Sequence, residues 1–328
     1  MKQRVCKGEV VMWWITSISI ILMAMSTQVV AAKPQLKDSV VCHKMAVTTV
    51  CDETAWRLGV DAVYLQPLTA GYAQYQDSSV KDMSNRQGGW GWGYQIKAAY
   101  AFRTGNSFAA NWLHFSNSST YPQRLLGENP YGDAHFSLKQ TYLLDIVDLA
   151  LTQTAFVGAM THMTLYGGLQ YASMRNNKTQ NYVVAAEAET AGIDSIVRYH
   201  NADYSGVGPV VGISYQYPFF AGLHAVAHAN SSILYGTSRN NKSLVYGPNG
   251  YVSQFSYVSK HQLVPGLHAK LGLSYEHALQ ECLVKASLGY QVIQYFNPFL
   301  LAQSNGQVNN INTSLYGPYF GITWVGKN

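Results

Sequence analysis

The feature that most constrains this chain is an alternation of apolar and polar side chains with a period of two, repeated over ten segments after residue 54. Successive side chains of a strand point to opposite faces, so this period predicts strands with one apolar and one polar face. It is clearest from Trp90 to Arg103, where five aromatic residues share one face. The predicted strands are 55–67, 90–103, 107–116, 141–152, 162–173, 206–217, 223–236, 266–277, 284–295 and 315–325. The facing of 141–152 is unclear, because Asp145 and Asp148 have opposite parity.

The connections between these strands alternate between short and long. The short ones are 104–106, 153–161, 218–222 and 278–281, and the long polar ones are 68–89, 117–140, 174–205, 237–265 and 296–314. Short periplasmic turns and long extracellular loops are typical of bacterial outer-membrane barrels. We therefore predict an all-β, transmembrane, antiparallel up-and-down barrel of about ten strands in the bacterial outer membrane, with both termini in the periplasm. Closure gives every backbone polar group a partner in lipid.

The N-terminus predicts export. Charged residues make up only 12% of the chain, about half the share of a soluble domain. One long apolar run, Val10 to Met25, follows Lys2, Arg4 and Lys7 and ends in small residues up to Ala32. This is the pattern of a secretory signal, and a retained membrane anchor is the alternative. The predicted regions are a signal peptide (1–32), a periplasmic N-terminal segment (33–54) and the barrel (55–328).

Three cysteines remain after the signal. Cys42 and Cys51 are close enough in sequence to form a disulfide in the oxidising periplasm. Cys282 falls on a predicted turn, where it is either a free thiol or a link to another chain, which would allow a homo-oligomer or a disulfide-linked assembly. Zinc binding is the alternative, but the three cysteines contain no CxxC pair, so neither a metal nor any other cofactor is predicted.

The inward-facing residues decide what the barrel can do. The predicted lumen-lining candidates are Arg57, Asp61, Lys97, Asn111, His224, His228, His268, Lys270, Glu276 and Lys285. Inward charge tunes solute passage in a porin, yet ten strands lie close to the eight that side chains fill completely. Two interpretations stay open: a small pore, or an interior closed by buried pairs such as Asp61 with Arg57 and Glu276 with Lys270.

Other functional classes have weaker support. His224, His228, Asn230 and Ser232 share one strand face, but they are too far apart along that strand to form a catalytic triad without a partner from another strand. We therefore predict a protein without enzymatic activity. The basic residues are scattered, so no nucleic-acid partner is expected. An adhesin or surface antigen acting through 174–205 and 237–265 is the binding alternative.

The order and spacing of several segments resemble the Legionella-type major outer membrane protein (porin) family over most of 55–327. The segments are AWRLGVDAVYLQP from Ala55, GWGWG from Gly89, FRTGN from Phe102 with NWLHF, GGLQYA from Gly167, GPVVG from Gly208, YGTS from Tyr235, VPGLHAKLG from Val264, GYQVIQYFN from Gly289 and YGPYFGITWVG from Tyr316. The resemblance implies an outer-membrane barrel of a Gram-negative bacterium with a porin or surface-antigen role. The partners expected of such a barrel are outer-membrane lipid, lipopolysaccharide and the barrel-assembly machinery, for which Trp324 near the C-terminus would supply the signal.

Overall fold

Alternating side chains produce a closed barrel of ten antiparallel strands. The computed structural model describes residues 41–42, 49–50, 54–70, 88–126, 134–157, 161–183, 195–220, 222–246, 251–279, 282–302 and 308–327. Within them, each of the ten barrel strands pairs with its neighbours in the chain, and the last pairs back with the first to close the sheet. This confirms the predicted fold class. The predicted signal peptide and the Cys42–Cys51 disulfide involve residues outside the described side chains.

Nine of the ten barrel strands are longer than the ~9–11 residues that a membrane-spanning strand requires. Two short strands come first, β1 (Val41–Cys42) and β2 (Thr49–Val50), and β2 pairs with the barrel through Thr49 and Ala155. The bounds of the barrel strands are β3 Ala55–Ala70, β4 Gly91–Ala101, β5 Asn106–Leu126, β6 Ala134–Val157, β7 Thr161–Val183, β8 Ser195–Phe220, β9 Leu223–Tyr246, β10 Tyr251–Ala278, β11 Cys282–Ala302 and β12 Val308–Lys327.

The outer wall carries an apolar band. On β8 the exposed outward side chains run from Val207 through Val211, Ile213 and Tyr215 to Tyr217. Ten residue steps at ~3.3 Å cover about 33 Å along the strand, which is about 25 Å in height at a tilt of ~40°. That height matches the apolar band of an outer-membrane barrel, so we take these residues as the membrane-spanning part of β8.

The two ends of the barrel differ. We call the end with the tight connections the turn end, and the opposite end the loop end. At the turn end, the Phe102 N–H donates to Asn106 O over 2.8 Å. Gly105 in that turn has a φ of 80°, a left-handed conformation that glycine adopts without steric cost. We expect the turn end to face the periplasm.

The sequence-based strand boundaries are wrong at the loop end. Residues 174–183 belong to β7 and 195–205 to β8, although the composition predicts one continuous loop from 174 to 205. Likewise, 237–246 and 251–265 are strand rather than loop. Side chains of these segments still alternate between the inner and outer faces, but the segments lie on the loop-end side of the apolar band, where the outer face meets water. Apart from inward residues at the apolar layer, such as Met174 and Tyr204, most side chains on both faces are polar, and the composition resembles that of a loop.

The facing of β6 is resolved by its register. Asp148 lies opposite Asn111 on β5 and Gln170 on β7, both of which face inward. Even-numbered residues of β6 therefore point into the lumen, and Asp145 lies on the outer wall. No helix among the described residues is both long and apolar enough to cross a membrane.

Candidate functional site: the barrel lumen

The lumen has three levels along the barrel axis. Toward the turn end lies a polar cavity of about 330 Å³, which we call the turn-end chamber. Toward the loop end, the inward face of the wall is polar again and includes Gln140, Lys178, His200 and Lys242; we call this polar part of the interior the loop-end chamber. Between them lies a layer of tightly packed apolar side chains, the apolar layer.

Asp61 is the centre of charge in the turn-end chamber. Its side chain is buried, and Lys97 Nζ lies 2.6 Å from Oδ1 while Lys270 Nζ lies 3.6 Å from Oδ2. Lys270 also donates a hydrogen bond to Gln95 on the far side of the lumen. A buried carboxylate is tolerated because two ammonium groups compensate for its lost hydration.

Glu276 forms a second group of charges nearer the turn end. Lys285 Nζ lies 3.1 Å from Glu276 Oε1, and His224 Nε2 lies 3.5 Å from Oε2. Gln216 joins the group, because its Nε2 donates to Glu276 Oε1 over 2.8 Å and its Oε1 accepts from Lys285 Nζ over 2.9 Å. Glutamine therefore links a carboxylate and an ammonium group on different strands.

The sequence-based pairing of these charges is wrong. Asp61 does not pair with Arg57, nor Glu276 with Lys270. Residues four or six apart on one strand are ~13 Å or ~20 Å apart along it. Side chains from other strands of a narrow barrel are closer, and they supply the partners.

Two histidines lie in the middle of the turn-end chamber. His228 Nδ1 lies 2.7 Å from Ser214 Oγ, and His228 Nε2 lies 3.0 Å from the Tyr166 hydroxyl. The His268 ring packs edge-on against His228 at 5.9 Å, and its Nε2 lies 3.3 Å from Gln291 Oε1. Hydroxyl groups contact both nitrogens of His228, whereas a catalytic triad requires a carboxylate to orient the ring.

All ten lumen-lining candidates lie on inward-facing positions of the barrel. Seven line the cavity of the turn-end chamber, namely Asp61, Lys97, Asn111, His228, His268, Lys270 and Lys285. Glu276 and His224 adjoin it through the ion pairs above, and Arg57 faces inward nearer the turn end.

Sequence reasoning missed other residues of the same chamber. Asp148 accepts a hydrogen bond from Gln170 Nε2 over 2.7 Å, and Tyr166 stacks on His228 at 5.3 Å. Asp148 was missed because the sequence does not show which residues of 141–152 face inward. Its pairing with the inward-facing Asn111 on the neighbouring strand places it inside the barrel. Within the described ranges, no three His, Cys, Asp or Glu side chains converge as they would around a metal ion.

The apolar layer lies at mid-height in the lumen. Among the described residues, nine of the ten barrel strands contribute to it. Its large members with relative exposures of 2% or less are Leu65, Leu113, Phe115, Tyr142, Leu144, Met174, Tyr204, Leu234, Ile293, Tyr295, Phe299, Ile311 and Leu315. Sequence reasoning considered an interior packed with buried ion pairs, whereas the side chains packed in this layer are apolar.

Two hydrogen bonds cross the lumen at the edges of this layer. The Tyr142 hydroxyl on β6 lies 3.0 Å from Thr313 Oγ1 on β12, and the Tyr295 hydroxyl on β11 donates to Gln170 Oε1 on β7 over 3.2 Å. In each case the two strands are four apart around the ten-stranded barrel. Side chains therefore span nearly the full width of the interior, as expected for so few strands.

The loop-end chamber has a different charge character. Lys178, His200 and Lys242 lie directly opposite one another on β7, β8 and β9, beyond the membrane-spanning part of these strands. Burial lowers the pKa of Lys178 to about 8. Burial, followed by the positive charges of Lys242, Arg198 and Lys178, lowers the pKa of His200 to about 3. At neutral pH, His200 is therefore uncharged and Lys178 is still mostly charged.

A family model described as the Legionella pneumophila major outer membrane protein precursor matches residues 48–326. The chain belongs to this family. Membership confirms the resemblance seen in its sequence and places the protein in the bacterial outer membrane, where the apolar band faces lipid. No protein with a curated description is similar enough to count as a relative.

Among solved structures, the barrel is similar to other outer-membrane barrels of low identity. The outer membrane protease OmpT of Escherichia coli has 9% identity over 87% of this chain and 99% of its own, with a TM-score of 0.40. The Pseudomonas putida toluene transporter TodX has 10% identity over 84% of this chain and 90% of its own, with a TM-score of 0.36. A major outer membrane protein of Thermus thermophilus has 13% identity over 66% of this chain and 98% of its own, with a TM-score of 0.28. Identities this low indicate nothing about activity.

Proposed function

We propose that this family member is an outer-membrane barrel closed to passive diffusion, acting as a surface-exposed structural protein rather than as an open porin. The observation that carries the proposal is the apolar layer. Its side chains come from nine of the ten barrel strands, counted over the described residues, and pack together in the interior between the two chambers. A charged or polar solute crossing it would lose its hydration without gaining hydrogen bonds, which is very costly.

A narrow gated channel is the second candidate. Polar chambers lie on both sides of a single apolar layer, and apolar constrictions can gate pores by excluding water. In this alternative, the layer would have to rearrange before any solute passes. The two candidates predict the same resting state, and they differ in whether wild-type protein ever conducts.

A liposome-swelling assay with a small sugar tests the closure. We expect vesicles that contain the wild-type protein to swell no faster than empty vesicles. The variant F115A/Y142A/Y204A removes three large side chains of the apolar layer from three strands, and we expect its vesicles to swell. Aromatic truncation in a core costs about 3–5 kcal/mol per residue, so folding must be checked by heat-modifiable gel migration.

A matched control truncates three aromatic residues on the outer wall, in W112A/Y171A/Y235A. These side chains face lipid, so we expect the control vesicles to stay impermeable. Rapid swelling with wild-type protein would overturn the proposal whatever the folding yield of the variants.

A further inference from the structure

Three polar side chains form a row on the inner wall of the turn-end chamber. Lys97 on β4, Asn111 on β5 and Asp148 on β6 lie directly opposite one another in the sheet. All three line the cavity of about 330 Å³. Neighbouring strands are ~4.8 Å apart, so the row places a cationic side chain, an amide and an anionic side chain beside one another over about 10 Å of wall.

Asp148 is a carboxylate without a cationic partner. It has a relative exposure of 9%, and the hydrogen bond that it accepts comes from the neutral amide of Gln170. Within the described part of the chain it forms no ion pair, and Lys270 in the same cavity is already paired with Asp61. Burying a carboxylate is costly unless a cation compensates for its lost hydration. Asp148 therefore offers a place for a cationic group of a ligand.

Asn111 and Lys97 keep hydrogen-bonding capacity that the protein does not use. Among the described residues, no hydrogen-bond partner meets the side-chain amide of Asn111, although this amide lines the cavity. The Lys97 ammonium group has three N–H donors, and Asp61 lies 2.6 Å from it. The Lys97 side chain is still 32% exposed, although it points into the barrel. Solvent therefore reaches this row, and a ligand that reaches it finds free donors and acceptors.

The charges on the cavity wall are balanced. Lys285 is neutralised by Glu276, 3.1 Å away. Two lysines and two aspartates are the other Lys, Arg, Asp and Glu residues of the wall among those described, namely Lys97, Lys270, Asp61 and Asp148. A ligand with a net charge would disturb this balance, whereas a ligand that carries one charge of each sign preserves it.

We propose that the turn-end chamber binds a small zwitterion, an α-amino acid with an uncharged polar side chain. Its carboxylate accepts hydrogen bonds from Lys97 and from the Asn111 amide nitrogen. Its ammonium group donates to Asp148 and to the Asn111 amide oxygen. Asparagine has both a donor and an acceptor on one amide, so it can contact both charged groups of the ligand. Hydrogen bonds between charged groups are the strong ones, and they fix the orientation of the ligand.

The rest of the cavity suits a polar side chain of the ligand. Hydroxyl, amide and imidazole groups line it, among them those of Tyr166, Ser214, Asn230 and His268. Its volume of about 330 Å³ lies at the lower end of the ~300–1,000 Å³ of small-molecule pockets. The apolar layer lies on the loop-end side of the cavity, so the ligand enters from the turn end. The site therefore does not depend on whether the barrel conducts.

Titration calorimetry of the folded full-length protein in a non-ionic detergent tests the site with L-glutamine as the probe. We expect saturable binding of one L-glutamine per chain. Two analogues each lack one charged group: glutaramate has no ammonium group, and γ-aminobutyramide has no carboxylate. Each should bind about tenfold or more weakly, because charge-assisted hydrogen bonds are lost. No binding of L-glutamine, or equally tight binding of either analogue, would overturn the proposal.

Two variants assign each charge of the ligand to its partner. D148N should weaken L-glutamine binding about tenfold or more but leave glutaramate binding nearly unchanged, because the variant and the analogue remove the same interaction. K97Q should have the same effect with γ-aminobutyramide in place of glutaramate. Heat-modifiable gel migration verifies that both variants fold.

The matched control is D145N. Asp145 lies on the same strand as Asp148 but on the outer wall, where it pairs with His114. We expect D145N to bind L-glutamine like the wild type. Equal weakening by D145N and D148N, or equal weakening of L-glutamine and glutaramate by D148N, would overturn the proposal.

Discussion

At the scale of single residues, Asp61 shows how the lumen accommodates charge. A Cβ atom at Gly321 would lie 2.0 Å from Asp61 Oδ1, so glycine leaves the space that the carboxylate occupies. The alternation on β3 is enough to predict that Asp61 faces inward. Its partners could not be predicted, because Lys97 and Lys270 come from strands whose register the sequence does not reveal.

Replacing Asp61 by asparagine tests the pairing. The variant D61N keeps the volume but removes the carboxylate that pairs with Lys97 and Lys270. Breaking a buried ion pair by neutralising one partner costs about 3–5 kcal/mol. We expect a loss of that order in the free energy of unfolding, measured by urea titration of the folded barrel in detergent.

Asp203 provides the matched control for this measurement. Its carboxylate lies on the outer wall, 3.8 Å from Arg239, with a side-chain exposure of 38%. Exposed ion pairs contribute only about 0–1 kcal/mol, so D203N should have little effect. If D61N costs no more than D203N, the buried pairing of Asp61 is not a stabilising feature.

At the scale of elements, the strands extend far beyond the apolar band. The period of two predicted the inward and outward faces in the membrane, for example Val207 to Tyr217 on β8. It missed the extensions because Asn176, Asn177 and Lys178 suggest a loop by composition, although Asn176 and Lys178 face inward and Asn177 outward. The extensions face water on their outer side and a polar interior on their inner side, so they lack the apolar–polar alternation by which a strand is recognised in the sequence.

Hydrogen exchange monitored by mass spectrometry tests these extensions. Backbone amides in paired strands are protected, whereas those in solvated loops exchange quickly. We expect 174–183 and 195–206 to be protected in the detergent-folded protein, because their amides pair across β7 and β8. The amides of Arg103 and Thr104, which lie between the two hydrogen-bonded amides of the turn at 102–105, serve as the rapidly exchanging reference. Exchange of both segments at the rate of that turn would contradict the extended strands.

At the scale of the whole molecule, ten strands make a barrel that side chains can close. The strand number predicted a narrow interior, but the nature of the closure was not predicted. Val63, Leu65 and Phe115 already lie at inward positions of the predicted strands, so the change of the inward face from polar to apolar is visible in the sequence. Tyr142 was missed because the sequence does not show which residues of 141–152 face inward, and Tyr204 was missed because it lies in the predicted loop 174–205.

Single-channel recording tests the closed lumen most directly. Wild-type protein, refolded and inserted into a planar lipid bilayer, would be recorded at high salt over a range of voltages. If the apolar layer separates the two chambers permanently, insertion produces no stepwise current, while F115A/Y142A/Y204A produces discrete steps. Stepwise conductance from the wild-type protein would contradict the closed barrel and favour the gated channel.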